Sequence, residues 1–198
     1  ISKGLVGSEM CIRDSFTAEI GLWSELHTYS GGLGVLAGDH VKSAADDELP
    51  LVGVTLLYRR GYGRQHLDQN GIQTETYRDL DPAKHLKDTG VILSLPLDGT
   101  ELLARVWKAE IRGVTGHTVP VFFLDTFHPE NSERHLNLGL TLYGGDDWVR
   151  IRQEYLLGVG GVRLLEQMGY DVDGLHLNEG HCTFALLEML GKGWSREE

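Results

Sequence analysis

The sequence predicts an α/β protein in which parallel strands alternate with helices, and three observations lead to that class. Residues 51–58 form a nearly all-apolar run of strand length, which suits a strand buried on both faces of a parallel sheet. Apolar side chains recur at helical spacing through residues 34–48 and again through residues 148–168. A glycine-rich turn at residues 31–34 and a polar turn at residues 178–181 each stand between a predicted strand and a predicted helix.

The composition is that of one globular domain. The 198 residues are 41% hydrophobic and 24% charged, and no composition shift or linker divides them. The 26 glycines are nearly double the usual share of about 7%. We therefore expect a single compact unit with many tight turns.

Charge and cysteine content narrow the possible partners. A formal net charge of −11 argues against nucleic acid or an anionic membrane, while a neutral partner such as a sugar is compatible. Cys11 and Cys182 lie too far apart in sequence to suggest a disulfide framework or a Cys-x-x-Cys metal pair. Without a long apolar run or a signal-peptide pattern, we expect a cytoplasmic protein that does not enter the membrane.

The first strand follows a segment without a clear pattern. Residues 1–15 show neither a strand nor a helix period, and we expect them to be a leader foreign to the fold or a short disordered tail. Residues 16–22 alternate as a strand does. The domain is therefore predicted to span residues 16–198, with an incomplete first strand.

The turn after this strand has the pattern Gly-Gly-x-Gly. Glycine leaves its backbone N–H groups accessible, and the start of the following helix adds further unpaired donors. Gly31, Gly32 and Gly34 could therefore hold an anion such as phosphate. The same pattern also occurs where a helix packs tightly on a sheet, so both interpretations stay open.

The middle of the chain predicts β structure. Asn70-Gly71 marks a hairpin turn between residues 62–67 and 72–77. Three further strands, at residues 91–97, 102–111 and 118–124, predict a β-rich insertion in the alternating fold. The basic and aromatic loop at residues 59–66 is either the lip of a ligand site or a solvated loop.

The longest predicted helix starts at an aspartate cap at residues 146–147 and ends before Gly169. Arg150 and Glu154 are spaced to pair along its surface. Glycine destabilises a helix interior by about 1 kcal/mol relative to alanine, so a close packing contact is the expected reason for the internal glycines. These are Gly158, Gly160 and Gly161.

A second polar turn follows a short strand at residues 172–177. Side chains at the carboxyl end of a parallel strand are placed to contact a ligand. His176, Glu179 and His181 do not have the spacing of a helical zinc motif, so we expect no metal. A ligand contact and a structural histidine with a helix cap remain the two alternatives.

Taken together, five stretches resemble the N-terminal domain of the α-glucan phosphorylases, the glycogen and maltodextrin phosphorylase family. They are residues 29–44, 50–62, 142–146, 152–161 and 176–181. They occur in the family's order, the resemblance covers residues 17–190, and the shorter bacterial and archaeal type is the more similar one.

This resemblance implies a fold and a reaction. The fold is GT-B, in which two Rossmann-like domains enclose the active site, and this chain would be part of the first domain. A lysine of the second domain, absent from this chain, would hold pyridoxal phosphate as a Schiff base. The reaction would be reversible phosphorolysis of a terminal α-1,4-linked glucose by inorganic phosphate, which gives glucose 1-phosphate. The fragment alone is expected to be inactive.

The resemblance also implies roles for individual residues. The N–H groups of Gly31, Gly32 and Gly34 would bind phosphate, and Leu33 would border the sugar. Asn178, Glu179 and His181 would contact the glucose. We expect no catalytic residue in this chain, because the family assigns proton transfer to phosphate groups.

Two alternatives remain. A nucleotide-sugar glycogen or starch synthase also places a glycine-rich loop near its donor phosphate, and a pyridoxal-binding lysine elsewhere in the protein would distinguish the phosphorylase from it. A non-catalytic glucan-binding module would bind maltodextrin by itself, but the tryptophans are scattered rather than arranged as a platform. The sequence leaves the oligomeric state and the preferred glucan open.

Overall fold

The structure, a computed structural model, describes residues 12–193. Its strands are β1 Ile12–Thr17, β2 Leu51–Leu56, β3 Arg64–Leu67, β4 Gln73–Thr76, β5 Lys87–Leu97, β6 Thr100–Arg112, β7 Thr118–Asp125 and β8 Val172–Asn178. Its α-helices are α1 Gly32–Asp46, α2 Glu133–Leu136, α3 Asp147–Tyr155, α4 Gly161–Gln167 and α5 Thr183–Gly191. A π-helical turn, Leu156–Gly160, joins α3 to α4. Short 3₁₀ turns lie at Pro82–Lys84, Asn137–Gly139 and Gly180–Cys182.

Six strands form one mostly parallel sheet in the order β5-β6-β7-β2-β1-β8. β7, β2, β1 and β8 are mutually parallel, and β6 runs antiparallel to β5 and to β7. The predicted α/β class and the βαβ unit formed by β1, α1 and β2 are confirmed. The predicted hairpin is confirmed as well, because β3 and β4 pair antiparallel outside the main sheet.

The three strands predicted in the middle of the chain are present as β5, β6 and β7, and they join the main sheet. β7 pairs with β2, so β5, β6 and β7 extend the main sheet. β6 fits this extension, since the buried side chains of its first half belong to the core on one face and those of its second half to the core on the other. Leu102 and Ala104 belong to the core on one face, whereas Trp107 and Ala109 belong to the core on the other. A strand covered on both faces belongs inside a sheet.

The first strand lies earlier in the chain than the predicted residues 16–22. β1 begins at Ile12 and ends at Thr17, so residues 12–15 belong to the sheet, while residues 1–11 lie outside the described part of the chain. The reason is backbone pairing. β1 lies between β2 and β8, and a central position fills the hydrogen-bonding groups on both edges of a strand whatever its side-chain pattern.

The predicted long helix is present as α3, the π turn and α4 in succession, and Asp146 caps it by accepting the N–H of Val149 at 2.9 Å. Close packing explains its glycines. A Cβ at Gly158 would lie 2.4 Å from the amide nitrogen of Ala185, and one at Gly161 would lie 2.4 Å from the ring of Phe16. None of the helices described between residues 12 and 193 is long and apolar enough to cross a membrane.

We expect Gly161→Ala to destabilise the fold by about 1–3 kcal/mol, because the new methyl group overlaps Phe16 and Val54. Gly191→Ala, at the end of α5, is the matched control, since its methyl group would meet open space and should change stability by less than about 1 kcal/mol. Urea unfolding followed by circular dichroism measures both. Equal stability of the two variants would mean that packing does not explain Gly161.

Asp14 makes the stability of the sheet depend on pH. Its carboxylate is fully buried in β1, and neither oxygen has a hydrogen-bond partner among the described residues. Burial raises the pKa of Asp14 to about 7, so the folded protein binds this proton more tightly than the unfolded chain does. Stability should therefore fall as the pH rises from about 4 to about 7, by on the order of 4 kcal/mol.

The variant Asp14→Asn tests this pH dependence because its amide resembles the neutral acid. We expect it to match the wild type near pH 3 and to be several kcal/mol more stable at pH 8. Asp173→Asn, at an exposed position of β8, is the control and should follow the wild type at both pH values. If Asp14→Asn gave no added stability at pH 8, the carboxylate would not be charged and buried in the folded protein.

Candidate functional site

The glycine turn presents free backbone donors at the start of α1. Gly31 is the N-cap residue in an extended conformation, and its carbonyl accepts the N–H of Val35 at 3.2 Å. No hydrogen-bond acceptor among residues 12–193 contacts the N–H groups of Gly32, Leu33 or Gly34. Gly31 and Gly32 are exposed, and no atom lies within 4 Å of the Cβ position at either residue. Unpaired donors at the positive end of a helix dipole can bind an anion.

The remaining glycines of this region serve packing. Gly34 is buried, and a Cβ there would lie 2.4 Å from the Cβ of Tyr29. A Cβ at Gly38 would lie 2.1 Å from the carbonyl oxygen of Gly21, and the N–H of Gly21 donates to the carbonyl of Gly34 at 2.8 Å. The space around the Cβ positions therefore distinguishes two kinds of glycine in this region. Gly31 and Gly32 are open to a ligand, whereas Gly34 and Gly38 allow α1 to approach the preceding loop.

The polar turn after β8 lies against the glycine turn. β1 and β8 are parallel neighbours with Thr17 opposite Asn178, so their carboxyl ends meet at one edge. The buried Asn178 side chain donates to the hydroxyl of Thr17 at 3.1 Å and approaches the carbonyl of Leu33 at 3.5 Å. Asn178 thus links the two turns that the sequence predicted separately. The side-chain nitrogen of Asn178 is therefore already engaged by contacts within the protein.

Two residues at this edge have unfavourable backbone conformations. Glu179 has φ 71° and ψ 175°, a region populated almost only by glycine, and Tyr143 has φ 59°. Such conformations are typical of functional sites, where the surrounding structure holds them in place. The Glu179 side chain is exposed.

His181 belongs to a polar cluster around a small cavity. Its Nδ1 lies 3.1 Å from Oε1 of Glu154, and its ring centre lies 6.1 Å from that of Tyr143. Arg150 stacks over the Tyr143 ring at 5.8 Å. These four side chains line a cavity of about 20 Å³, enough space for one water molecule. Arg150 and Glu154 do not form the ion pair predicted for them, because each has a partner off its own helix.

Glu19 was missed by the sequence analysis. Its buried carboxylate accepts the N–H of Ser30 at 2.5 Å, the hydroxyl of Ser30 at 3.2 Å and the hydroxyl of Tyr143 at 3.0 Å. Burial and then the Glu19 charge raise the pKa of Tyr143. The available signal was a lone carboxylate within the predicted strand at residues 16–22.

His176 is not part of this cluster. Its ring packs edge-on against His40 of α1 at 4.6 Å, beside a cleft of about 410 Å³ on the α1 face of the sheet. Burial and then the neighbouring His176 lower the pKa of His40. Within residues 12–193, no three histidine, cysteine or acidic side chains gather where they could hold a metal ion.

Arg59, at the start of the basic loop after β2, forms an ion pair inside the protein. The guanidinium of Arg59 pairs with the buried carboxylate of Asp125 at 2.6 Å, and the indole of Trp107 donates to the same carboxylate at 2.9 Å. Arg60 pairs with Asp79 at the surface at 3.0 Å. Arg59 is therefore engaged inside the protein, while Tyr62 remains 39% exposed.

The fold and the site together define an α/β protein with a glycine-rich helix start and polar side chains at the carboxyl ends of two parallel strands. Comparison with known proteins then identifies the relatives. The chain is 42% identical over 188 residues to a glycogen phosphorylase of Mycobacterium tuberculosis. This alignment covers 88% of the chain and 21% of that protein. It is 37% identical over 187 residues to a maltodextrin phosphorylase of Thermococcus litoralis, and this alignment covers 91% of the chain and 22% of that protein.

A glycogen phosphorylase of Aquifex aeolicus is 34% identical over 181 residues, covering 88% of the chain and 25% of that protein. No family model matches the sequence. The resemblance to the α-glucan phosphorylases is thereby confirmed, and the chain is homologous to a segment of these proteins. It spans between a fifth and a quarter of the length of these three relatives.

The variants Gly34→Ala and Gly32→Ala test which glycine of the turn is needed for packing. We expect Gly34→Ala to destabilise the fold by about 1–3 kcal/mol, because its methyl group overlaps Tyr29 and approaches Glu19. Gly32→Ala should be tolerated within about 1 kcal/mol, since its methyl group meets open space. Thermal unfolding measures both. A neutral Gly34→Ala would contradict the close approach of Gly34 to Tyr29.

Proposed function

We propose that this chain is part of the N-terminal Rossmann-like domain of a cytoplasmic GT-B enzyme, an α-glucan phosphorylase, and we call the longer protein the parent. The parent would transfer the terminal α-1,4-linked glucose of glycogen or a maltodextrin to inorganic phosphate and release glucose 1-phosphate. The observation that carries this proposal is the open Gly31-Gly32 helix start beside the Asn178–His181 turn. Homology to proteins named glycogen and maltodextrin phosphorylase supports it.

The glycine turn would bind and stabilise the phosphate. The N–H groups of Gly32, Leu33 and Gly34 have no other acceptor among the described residues, so they are available to an anion. They are fixed by the helix, and donors held in place need no reorganisation when charge develops on the phosphate oxygens. This chain would therefore contribute electrostatic stabilisation of the transferred group.

The polar turn would contact the sugar. His181 is held by Glu154 and faces Tyr143, while Glu179 is exposed at the same edge. Hydrogen-bonding groups of this kind orient sugar hydroxyls, and we assign Glu179 and His181 a binding role. Asn178 would act indirectly, because its amide already joins β1 and α1. Proton transfer is not assigned to a side chain of this chain.

The resemblance implies pyridoxal phosphate, but the lysines described here do not fit a Schiff base to it. Each is exposed or half-buried, and none lines the cavity beside Tyr143: Lys42, Lys84, Lys87, Lys108 and Lys192. We therefore propose that the lysine that binds the cofactor lies in another part of the parent. The isolated chain is accordingly expected to be inactive.

An activity assay tests the proposal directly. With pyridoxal phosphate, maltoheptaose and inorganic phosphate, the parent should form glucose 1-phosphate and the isolated chain should not. Failure of the parent to form glucose 1-phosphate would overturn the enzyme assignment. Turnover by the isolated chain would overturn the claim that the chemistry needs the rest of the parent.

Matched substitutions at Gly32 test the phosphate role in the parent. We expect Gly32→Glu to raise the KM for phosphate at least about tenfold over Gly32→Gln, corresponding to about 1.4 kcal/mol, because a carboxylate repels the anion. Both side chains start in open space, so the pair differs mainly in charge. The same KM for phosphate in both variants would remove the turn from the phosphate site.

A further inference from the structure

Glu19 links the two halves of the site. It lies 2% exposed just after β1, and all three groups that donate to its carboxylate come from elements at this edge of the sheet. Ser30 supplies two donors and directly precedes Gly31. Tyr143 supplies the third from 124 residues further along the chain and faces His181.

The contacts of Glu19 restrict the glycine turn at its first residue. The shortest of them, at 2.5 Å, is made by the backbone N–H of Ser30, so it fixes the main chain where the turn begins. Gly34 closes the same space from the other side, because a Cβ there would lie 3.2 Å from Oε2 of Glu19. A carboxylate that accepts two or three donors in a buried position holds them in one arrangement.

We propose that Glu19 is a positioning residue that orders the glycine turn and couples it to Tyr143. It acts through Ser30, whose fixed backbone sets the direction of the N–H groups of Gly32, Leu33 and Gly34. The ligand named for that turn, phosphate, rests on the proposed function. The ordering of Ser30 by Glu19 does not.

The chemistry of the contacts predicts which substitutions preserve this role. In Glu19→Gln, the amide oxygen can accept both Ser30 donors while the amide nitrogen donates to the Tyr143 oxygen. This variant keeps the geometry and removes the charge. Glu19→Ala removes every contact, and Glu19→Asp keeps the charge but shortens the side chain by one methylene group, which moves it away from Ser30.

Amide hydrogen exchange of the isolated chain, read residue by residue by NMR, tests the positioning role. We expect Ser30 to lose at least about tenfold protection in Glu19→Ala and Glu19→Asp but to keep it in Glu19→Gln. Ala44 and Ala45 in the core of α1 report global stability, and their protection should change less than that of Ser30. If Ser30 stayed protected relative to these core amides in both Glu19→Ala and Glu19→Asp, the proposal would be overturned.

Titration with inorganic phosphate, against chloride at equal ionic strength, tests the consequence for the ligand. Phosphate should shift the amide signals of Gly32, Leu33 and Gly34 in the wild type and in Glu19→Gln, and Glu19→Gln should bind phosphate at least as tightly because a like charge is gone. Glu19→Asp should bind at least about fivefold more weakly. If Glu19→Asp bound phosphate as tightly as the wild type, ordering of the turn by Glu19 would not affect phosphate binding, and that part of the proposal would be overturned. No binding by the wild type would count against the phosphate site alone, because Ser30 exchange still decides the role of Glu19.

Discussion

The parallel pairing of β1 with β8 on one side and β2 on the other is the constraint on which the site depends. The carboxyl ends of parallel strands lie at one edge of a sheet, so the connections that leave β1 and β8 must start side by side. One leads to the glycine turn and α1, and the other leads to Asn178 and α5. Residues 145 positions apart in sequence, Leu33 and Asn178, come within 3.5 Å for this reason.

Close backbone contacts then determine the shape of that edge. Gly38 lies against the carbonyl of Gly21, and Gly158 lies against the backbone of α5. These contacts bring α1 close to the preceding loop and the π turn close to α5. A side chain at either position would separate these elements and move the two turns that the strands have aligned. The packing glycines and the accessible glycines of the turn therefore shape the same edge of the sheet by different means.

The sequence predicted the elements with a strong local signal and missed what pairing across the sheet decides. The apolar run of β2, the aspartate cap at Asp146 and the Asn70-Gly71 hairpin are local patterns, and the structure confirms all three. Residues 12–15 have no such pattern and join the sheet only because β2 and β8 flank them. The role of Glu19 was hidden for the same reason, because Tyr143 reaches it from a distant segment.

The electrostatics of the turn bear on the phosphate site proposed for it. The net charge is −11, yet at physiological salt charges beyond about 8 Å are largely screened, so the nearby groups decide the local field. An anion at Gly32 would gain from the helix dipole and the unpaired N–H groups, and it would be repelled by the carboxylates of Glu19 and Glu179. The three donors to Glu19 offset much of its field. Glu179 is exposed and has no such partner among the described residues, so firm anion binding calls for cationic groups on an opposing surface. Backbone donors on this chain and cations across a cleft would then divide the recognition of phosphate between them.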